Sequence, residues 1–113
     1  MIITFANRKL KKCANNDRFA LKEMGKKRFE FFKKRMTALL VAENLEELRH
    51  QPGRWHELTG NRKGQWACTL DQPYRLIFEP AEKPVPTDAD NKFIWIKIKA
   101  VEIIEITNYH KEG

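Results

Sequence analysis

The spacing of the apolar residues changes once along this chain, near residue 54, and this change limits the fold that the chain can adopt. Before that point, apolar residues recur at steps of three and four, which predicts one buried face of a long helix: Phe29, Phe32, Met36, Leu39 and Leu40. After it, apolar and polar residues alternate, which is typical of half-buried strands. The pattern therefore predicts helices followed by a sheet.

Shorter elements precede and follow the predicted long helix. Residues 2–5 predict a first strand, and Asn7 is a suitable N-cap for a short helix after it. Residues 44–48 predict a further helical turn, which Pro52-Gly53 ends. The N-terminal half is therefore expected to supply one strand and a layer of helices.

The C-terminal half is expected to supply most of the sheet. Strands are predicted at 54–58, 65–70 and 74–79, and the segment 93–106 is rich in strand-forming residues. The short connections between the first three predict antiparallel neighbours. Within the last segment the apolar parity changes near Lys99-Ala100, which predicts a bulge, turn or break there. The later apolar run resembles an inner strand covered on both faces.

The chain has 113 residues, which is room for one domain, and we assign residues 1–113 to it. The expected fold class is α+β, a compact and largely antiparallel sheet with the N-terminal helices packed on one face. The chain holds 22 Lys and Arg against 15 Asp and Glu, for a net charge of +7. Such an excess either improves solubility or attracts a polyanion, which could be nucleic acid, a ribosome surface or an acidic protein.

The composition also excludes several classes of protein. No apolar run approaches the roughly 20 residues that a membrane helix needs. The apolar start at residues 1–6 is too short for a secretory signal, and its positive charges follow the apolar segment rather than precede it. Cys13 and Cys68 lack metal-ligand spacing and are expected to be reduced thiols. We therefore expect a cytoplasmic protein without membrane association.

One charge interrupts the apolar pattern of a predicted strand. Tyr74, Leu76 and Phe78 share the expected core face, so Arg75 points to the other face. A charge there costs free energy unless it is paired or meets an anion. Two interpretations remain open, a salt bridge to a neighbouring glutamate and a phosphate-binding role.

Two histidines and a tyrosine are candidates for chemistry. His56 and Arg54 precede a turn that presents Arg62 and Lys63, and Asn108-Tyr109-His110 directly follow the last apolar strand. If these strand ends converge, one pocket holds two imidazoles, a phenol and several cations. That set suits RNA cleavage by the 2′-hydroxyl, which needs a base, an acid and cations that stabilise the phosphorane charge. The alternatives are a surface histidine and a frayed C-terminal tail.

Three blocks of this sequence resemble HigB-like toxins of the RelE/ParE superfamily: His56 to Trp66, Tyr74 to Phe78, and Val101 to Ile103 followed by Asn108-Tyr109-His110. The family pattern is roughly His-x-Leu-Lys-Gly-Asp, then Gly before an aromatic strand, an Arg-containing strand, and a final Asp-Tyr-His. The resemblance covers the C-terminal half in sequence and the helical half only in layout.

The resemblance implies a RelE-like fold and ribosome-dependent cleavage of mRNA, with neither a metal nor an organic cofactor. By position, His56 and His110 look like the active-site histidines. Tyr109 looks like the ring near the scissile phosphate, and Arg75 matches the arginine that contacts phosphate.

Two positions depart from the family pattern. Thr59 stands where many relatives have lysine, and Asn108 stands where they often have aspartate. Arg62 or Lys63 would then supply the missing cation. Without the carboxylate, the identity of the general base and the general acid stays open.

The resemblance also implies partners. These are a HigA-like helix-turn-helix antitoxin, the ribosome and mRNA, with a toxin that is monomeric when free and part of a larger assembly with its antitoxin. Two alternatives remain. A ParE-like toxin that poisons gyrase needs no proton-transfer pair, and a non-catalytic basic nucleic-acid-binding domain would bind RNA regardless of His56→Ala.

Overall fold

A computed structural model describes residues 1–108 as three α-helices packed on one face of a five-stranded sheet. The helices are α1 (Arg8–Asn15), α2 (Asp17–Met24) and α3 (Lys26–Val41). The strands are β1 (Ile2–Phe5), β2 (His56–Glu57), β3 (Trp66–Thr69), β4 (Tyr74–Pro80) and β5 (Ala100–Asn108). Short 3-10 turns lie at Leu45–Leu48, Gly60–Arg62 and Trp95–Lys97.

The sheet order is β1-β5-β4-β3-β2, and β1 pairs with β5 in parallel, whereas every other pairing is antiparallel. The α+β class and the largely antiparallel sheet predicted from the sequence are therefore confirmed. The core lies between the helices and one sheet face, and its members include Leu10, Ala20, Phe32, Leu39, Trp66, Leu76, Phe78 and Ile103. None of the helices within residues 1–108 is both long and apolar enough to span a bilayer.

Asparagine caps and one glycine set the limits of the helices. The Asn7 side chain accepts a hydrogen bond from the Leu10 amide at 2.8 Å, and the Asn16 side chain accepts one from the Phe19 amide at 3.0 Å. Gly25, with φ of +81°, ends α2 and allows α3 to start in a new direction. The long helix therefore begins after Gly25.

The inward face of α3 differs by one position from the predicted one. The apolar spacing predicts Leu40 in the buried stripe, but Leu40 is 62% exposed, whereas Arg35 is only 8% exposed. The buried residues of α3 are Phe32, Arg35, Met36 and Leu39. The core side of the helix is therefore centred nearer to Arg35, which turns Leu40 away from the sheet.

Two predicted strands are shorter than expected. The strand predicted at 54–58 is reduced to β2, because Arg54 has a left-handed backbone with φ of +51° and cannot continue a strand. The first part of the segment predicted at 93–106 forms the 3-10 turn Trp95–Lys97 instead. Trp95 and Ile98, three residues apart, are buried there, whereas Ile96 is 59% exposed. The break expected near Lys99-Ala100 is confirmed, since β5 starts at Ala100.

A bulge in β5 explains its apolar pattern. Ile77 pairs with Glu105 but the next residue, Phe78, pairs with Ile103, so Ile104 is the extra residue. The bulge shifts the alternation, so that both Ile103 and Ile106 face the helices. The strand is an inner one, as predicted, but Ile104 and Ile106 are half-buried rather than fully covered.

Candidate active site

The predicted site residues His56 and Arg75 lie on the sheet face opposite the helices. Directly paired residues share a face of a sheet. His56 pairs with Ala67, and Arg75 pairs with Thr69, whereas the intervening Cys68 belongs to the core face. The helices therefore do not cover His56 or Arg75.

A cavity of about 190 Å³ joins several of these residues on that face. We call it the candidate cavity, and its lining residues are Arg54, His56, Thr69, Gln72, Pro73, Tyr74 and Arg75. It brings together three of the residues predicted from the sequence: Arg54 in the turn before β2, His56 in β2 and Arg75 in β4. A small concave site with an imidazole and two guanidinium groups has the chemistry to hold a phosphodiester.

Local geometry orients the His56 ring. Its Nδ1 atom lies 2.6 Å from the Arg54 carbonyl oxygen. Because a carbonyl only accepts, Nδ1 must be the donor, which leaves Nε2 without a proton when the ring is neutral. The left-handed backbone of Arg54 aims its carbonyl at the ring two residues later. Backbone outliers of this kind cluster at functional sites.

Tyr74 is a wall of the candidate cavity that sequence reasoning assigned to the core. The Arg28 guanidinium on α3 lies 3.4 Å from the centre of the Tyr74 ring. The same guanidinium donates two hydrogen bonds to the Asp71 carboxylate, at 3.0 and 3.2 Å. Arg28, a residue of the helical layer, therefore holds the Tyr74 ring in position from the side of the sheet that packs against the helices.

Arg35 supports the candidate cavity from the core side. Its Nε atom donates a hydrogen bond to the Thr69 carbonyl at 2.7 Å. The Thr69 amide and hydroxyl both donate to the Gly53 carbonyl, at 2.8 and 3.2 Å. The buried guanidinium is thus connected through Thr69 to the turn that carries Arg54. Helical spacing places Arg35 beside the apolar stripe, three residues after Phe32 and four before Leu39, but its partner depends on a contact 34 residues away and could not be predicted.

The remaining predicted site residues lie elsewhere. Arg62 crosses the open face of the sheet to form a salt bridge of 2.7 Å with Glu105, and also donates to the Gln65 side chain at 2.9 Å. Neither Arg62 nor the exposed Lys63 lines the candidate cavity. Asn108 pairs with Tyr74, so β5 ends beside the cavity.

The predicted Tyr109 and His110 lie outside the described residues 1–108. Their roles, and the convergence of two imidazoles that the sequence suggested, stay predictions.

The two cysteines are buried within the core rather than in the cavity. Burial raises the pKa of the Cys68 thiol far above its ordinary value, and raises that of Cys13 in the same direction. Both therefore remain neutral thiols near pH 7. Within residues 1–108, no group of three or more His, Cys, Asp or Glu side chains is arranged to hold a metal ion.

Two solved structures are similar to this fold. The YoeB/ParE toxin from Agrobacterium tumefaciens superposes with a TM-score of 0.56 at 11% identity, over 96% of this chain and 98% of that one. The YoeB dimer from Staphylococcus aureus superposes with a TM-score of 0.51 at 14% identity, over 93% and 92%. At such low identity the likeness establishes the fold alone. The sequence matches no protein-family model and no curated protein.

Proposed function

We propose that this protein is the toxin of a type II toxin–antitoxin pair, and that it is a HigB-like, metal-independent endoribonuclease that cuts mRNA on the ribosome in the cytoplasm. The fold shared with YoeB/ParE-type toxins supports the first part. The observation that carries the second part is the candidate cavity, in which His56 is oriented beside Arg54 and Arg75.

The proposed reaction divides the chemistry among these side chains. The substrate 2′-hydroxyl loses its proton to a base and attacks phosphorus, which forms a new P–O bond. The bond from phosphorus to the 5′-oxygen breaks, and that oxygen takes a proton from an acid. His56 and His110 are the proposed proton-transfer pair, with Tyr109 and Asn108 beside them. Arg54 and Arg75 stabilise the phosphorane charge, and Arg62 and Lys63 contact the RNA further along.

The oriented tautomer of His56 favours a role for this residue in proton transfer. The Arg54 carbonyl binds Nδ1–H, so the lone pair of Nε2 is available to accept a proton. After it accepts one, the carbonyl still holds the ring, because both nitrogens then donate. The same residue can therefore serve as the base in one step and return the proton in another.

The partners follow from the same proposal. We expect a HigA-like antitoxin with a helix-turn-helix domain, which neutralises the toxin and dimerises. The free toxin is proposed to be monomeric, and coexpression should give a larger complex that co-purifies. Growth arrest on expression of the toxin alone, relieved by the antitoxin, is the corresponding cellular result.

The decisive experiment programs ribosomes with a defined mRNA and maps new 5′ ends after addition of the protein. The wild type should cut within codons. The cleavage rate of His56→Ala should be lower by about 100-fold or more, because the substitution removes a proton-transfer group. His50→Ala is the matched control, since His50 is also exposed but does not line the candidate cavity. His110→Ala tests the predicted second histidine, and circular dichroism checks that each variant folds.

Three results would contradict the proposal. A folded wild type that produces no cuts on translating ribosomes would remove the nuclease activity. Equal loss in His50→Ala and His56→Ala would remove the assignment of the site. Inhibition of purified gyrase by the wild type, without mRNA cleavage, would favour the ParE-like alternative.

A further inference from the structure

The positive charge of this protein is concentrated in its helical layer. Residues 1–41 contain 12 Lys and Arg against 3 Asp and Glu, whereas residues 42–113 contain 10 against 12. The N-terminal part, with one strand and the three helices, therefore carries an excess of 9 positive charges, more than the net charge of the whole chain. The strands that form the candidate cavity lie in the part that is slightly negative.

Most of these cations are exposed on α1, α2 and α3. Ten of the 12 are exposed, and eight of those ten are lysines. The three acidic side chains neutralise few of them: Asp17 pairs with Lys33 and Glu23 pairs with Lys9. We call these ten exposed cations the lysine-rich helical surface.

Helix stability accounts for only some of these cations, because Lys12 and Lys22 lie in the last turns of α1 and α2, where a positive charge is favourable, whereas others lie in first turns. Lys26 and Lys27 occupy the first turn of α3, and Arg8 and Lys9 occupy that of α1, and neither turn contains an acidic residue. The N-terminus of a helix carries a partial positive charge, so cations there are unfavourable. Charge placed against helix stability indicates a requirement for binding.

The surface offers few exposed rings or apolar side chains of the kind that single-stranded RNA or a protein partner would contact. The rings Phe19, Phe29 and Phe31 are half-buried, and lysine ammonium groups lie over them at 4.3, 5.7 and 5.9 Å. Half-buried rings with lysines beside them offer little free face for stacking with bases. Leu21 on α2 is an exposed apolar residue among these cations, whereas Leu40 and Val41 lie at the far end of α3 from its lysine-rich first turn.

We infer that the lysine-rich helical surface binds the phosphate backbone of double-stranded RNA without reading its sequence. Lysines on flexible stems suit many phosphates in variable geometry, whereas paired carboxylates of a protein favour arginine forks. The choice of RNA over DNA rests on the proposed function; the charge distribution does not depend on it. Because the candidate cavity is on the opposite sheet face, the protein can hold a structured RNA on one side and a single strand on the other.

Two variants with equal charge test this inference. The helical variant carries Lys11→Gln, Lys22→Gln, Lys26→Gln and Lys27→Gln. The control variant changes four exposed lysines between β4 and β5 to glutamine: Lys83, Lys92, Lys97 and Lys99. Each removes four positive charges, so a difference between them reports position rather than net charge.

The measurement is fluorescence anisotropy with a 20-base-pair RNA hairpin across a range of salt concentrations. All proteins carry His56→Ala, so that cleavage does not interfere with the measurement. The binding result can then be interpreted even if the proposed nuclease function is wrong. The helical variant should lose about 100-fold or more in affinity at 0.1 M salt, and the slope of log K against log salt should become less negative by about 3 to 4. The control variant should change by less than about 3-fold.

Several outcomes would overturn the inference. Equal losses in the two variants would mean that net charge alone drives binding, and an unchanged helical variant would mean that the surface is not used. Tighter binding to single-stranded RNA, to duplex DNA of the same length or to polyglutamate would assign the surface to a different partner. Thermal unfolding of both variants confirms that a loss of binding is not a loss of fold.

Discussion

Arg35 places a guanidinium group beneath the wall of the candidate cavity, where its desolvation must be offset by hydrogen bonds. Its Nε atom donates a hydrogen bond to the Thr69 carbonyl, and the Thr69 hydroxyl in turn donates one to the Gly53 carbonyl. Burying a charge without a partner costs several kcal/mol, so Arg35 and the turn it supports must form together. The position of Arg54 and the orientation of His56 therefore depend on a residue of the helical layer.

A substitution at Gly53 tests this arrangement, because a side chain there would clash with Arg35. A Cβ atom would lie 2.8 Å from Arg35 Nε and 3.0 Å from Trp55 Nε1, and φ is +127°. Gly25 also has a positive φ, +81°, but a Cβ atom there would have no neighbour within 4 Å. Both Gly→Ala variants should lower the free energy of unfolding by about 1 to 3 kcal/mol through backbone strain. Gly53→Ala should lose about 1 to 3 kcal/mol more through the clash.

Urea unfolding of the two alanine variants, with the wild type, gives the comparison. In the cleavage assay, Gly53→Ala should also slow the reaction, whereas Gly25→Ala should not, because only Gly53 adjoins the His56 turn. Equal stability of the two variants would show that Arg35 moves aside freely and does not brace the turn.

Among the secondary-structure elements, α3 connects most directly to the candidate cavity. Its Arg28 side chain joins Asp71, in the β3–β4 turn, to the Tyr74 ring in β4. The ion pair is partly buried, with 24% and 13% of the two side chains exposed, so solvent screens it less than a surface pair. The helix therefore fixes both the turn and the aromatic wall of the cavity.

A double-mutant cycle measures this connection. Arg28→Met and Asp71→Asn should each lower stability, and the double variant should lose less than their sum, with a coupling energy of about 1 to 2 kcal/mol. The exposed pair Lys33 and Asp17 supplies the control cycle, for which about 0 to 1 kcal/mol is expected. Coupling no larger than in this control would mean that α3 does not fix the β3–β4 turn.

Elements whose pattern is local were predictable from the sequence, and those that depend on distant packing were not. The Asn7 cap acts on an amide three residues away, which explains why the start of α1 follows from the sequence. The 3-10 turn Trp95–Lys97 was predicted as strand, because Ile94, Ile96 and Ile98 alternate. Its true inward residue, Trp95, is set by packing against Trp66, 29 positions earlier.

The residues of the candidate site also divide into those that a local pattern predicts and those that depend on distant packing. Strand parity placed Arg75 on the face away from the core, and its pairing with Thr69 agrees with that parity. The roles of Arg28, Arg35 and Tyr74 could not be predicted, since each depends on a contact between the helical layer and the sheet. Sequence reasoning found Arg54, His56 and Arg75, which line the cavity, but missed its Tyr74 wall and the arginines that hold it in shape.

At the scale of the whole molecule, the separation of charge has a cost for stability. Ten exposed cations lie on three neighbouring helices, and like charges at helical spacing destabilise by a few tenths of a kcal/mol per pair. Salt screens such repulsion, since the Debye length falls from about 30 Å at 0.01 M to about 3 Å at 1 M. The folded protein should therefore be less stable at low salt.

The two quadruple lysine variants make this repulsion measurable. At 0.02 M salt the helical variant should be more stable than the wild type by about 1 kcal/mol. The relief of repulsion and the removal of Lys26 and Lys27 from the first turn of α3 should outweigh the loss of Lys22 from the last turn of α2. At 0.5 M salt this gain should shrink to less than half, whereas the control variant should stay within about 0.5 kcal/mol of the wild type at both concentrations. Thermal unfolding at the two salt concentrations provides the comparison. A helical variant that gains stability while losing affinity for RNA would show that these lysines are kept for binding at the expense of the fold, and equal salt responses in all three proteins would contradict this.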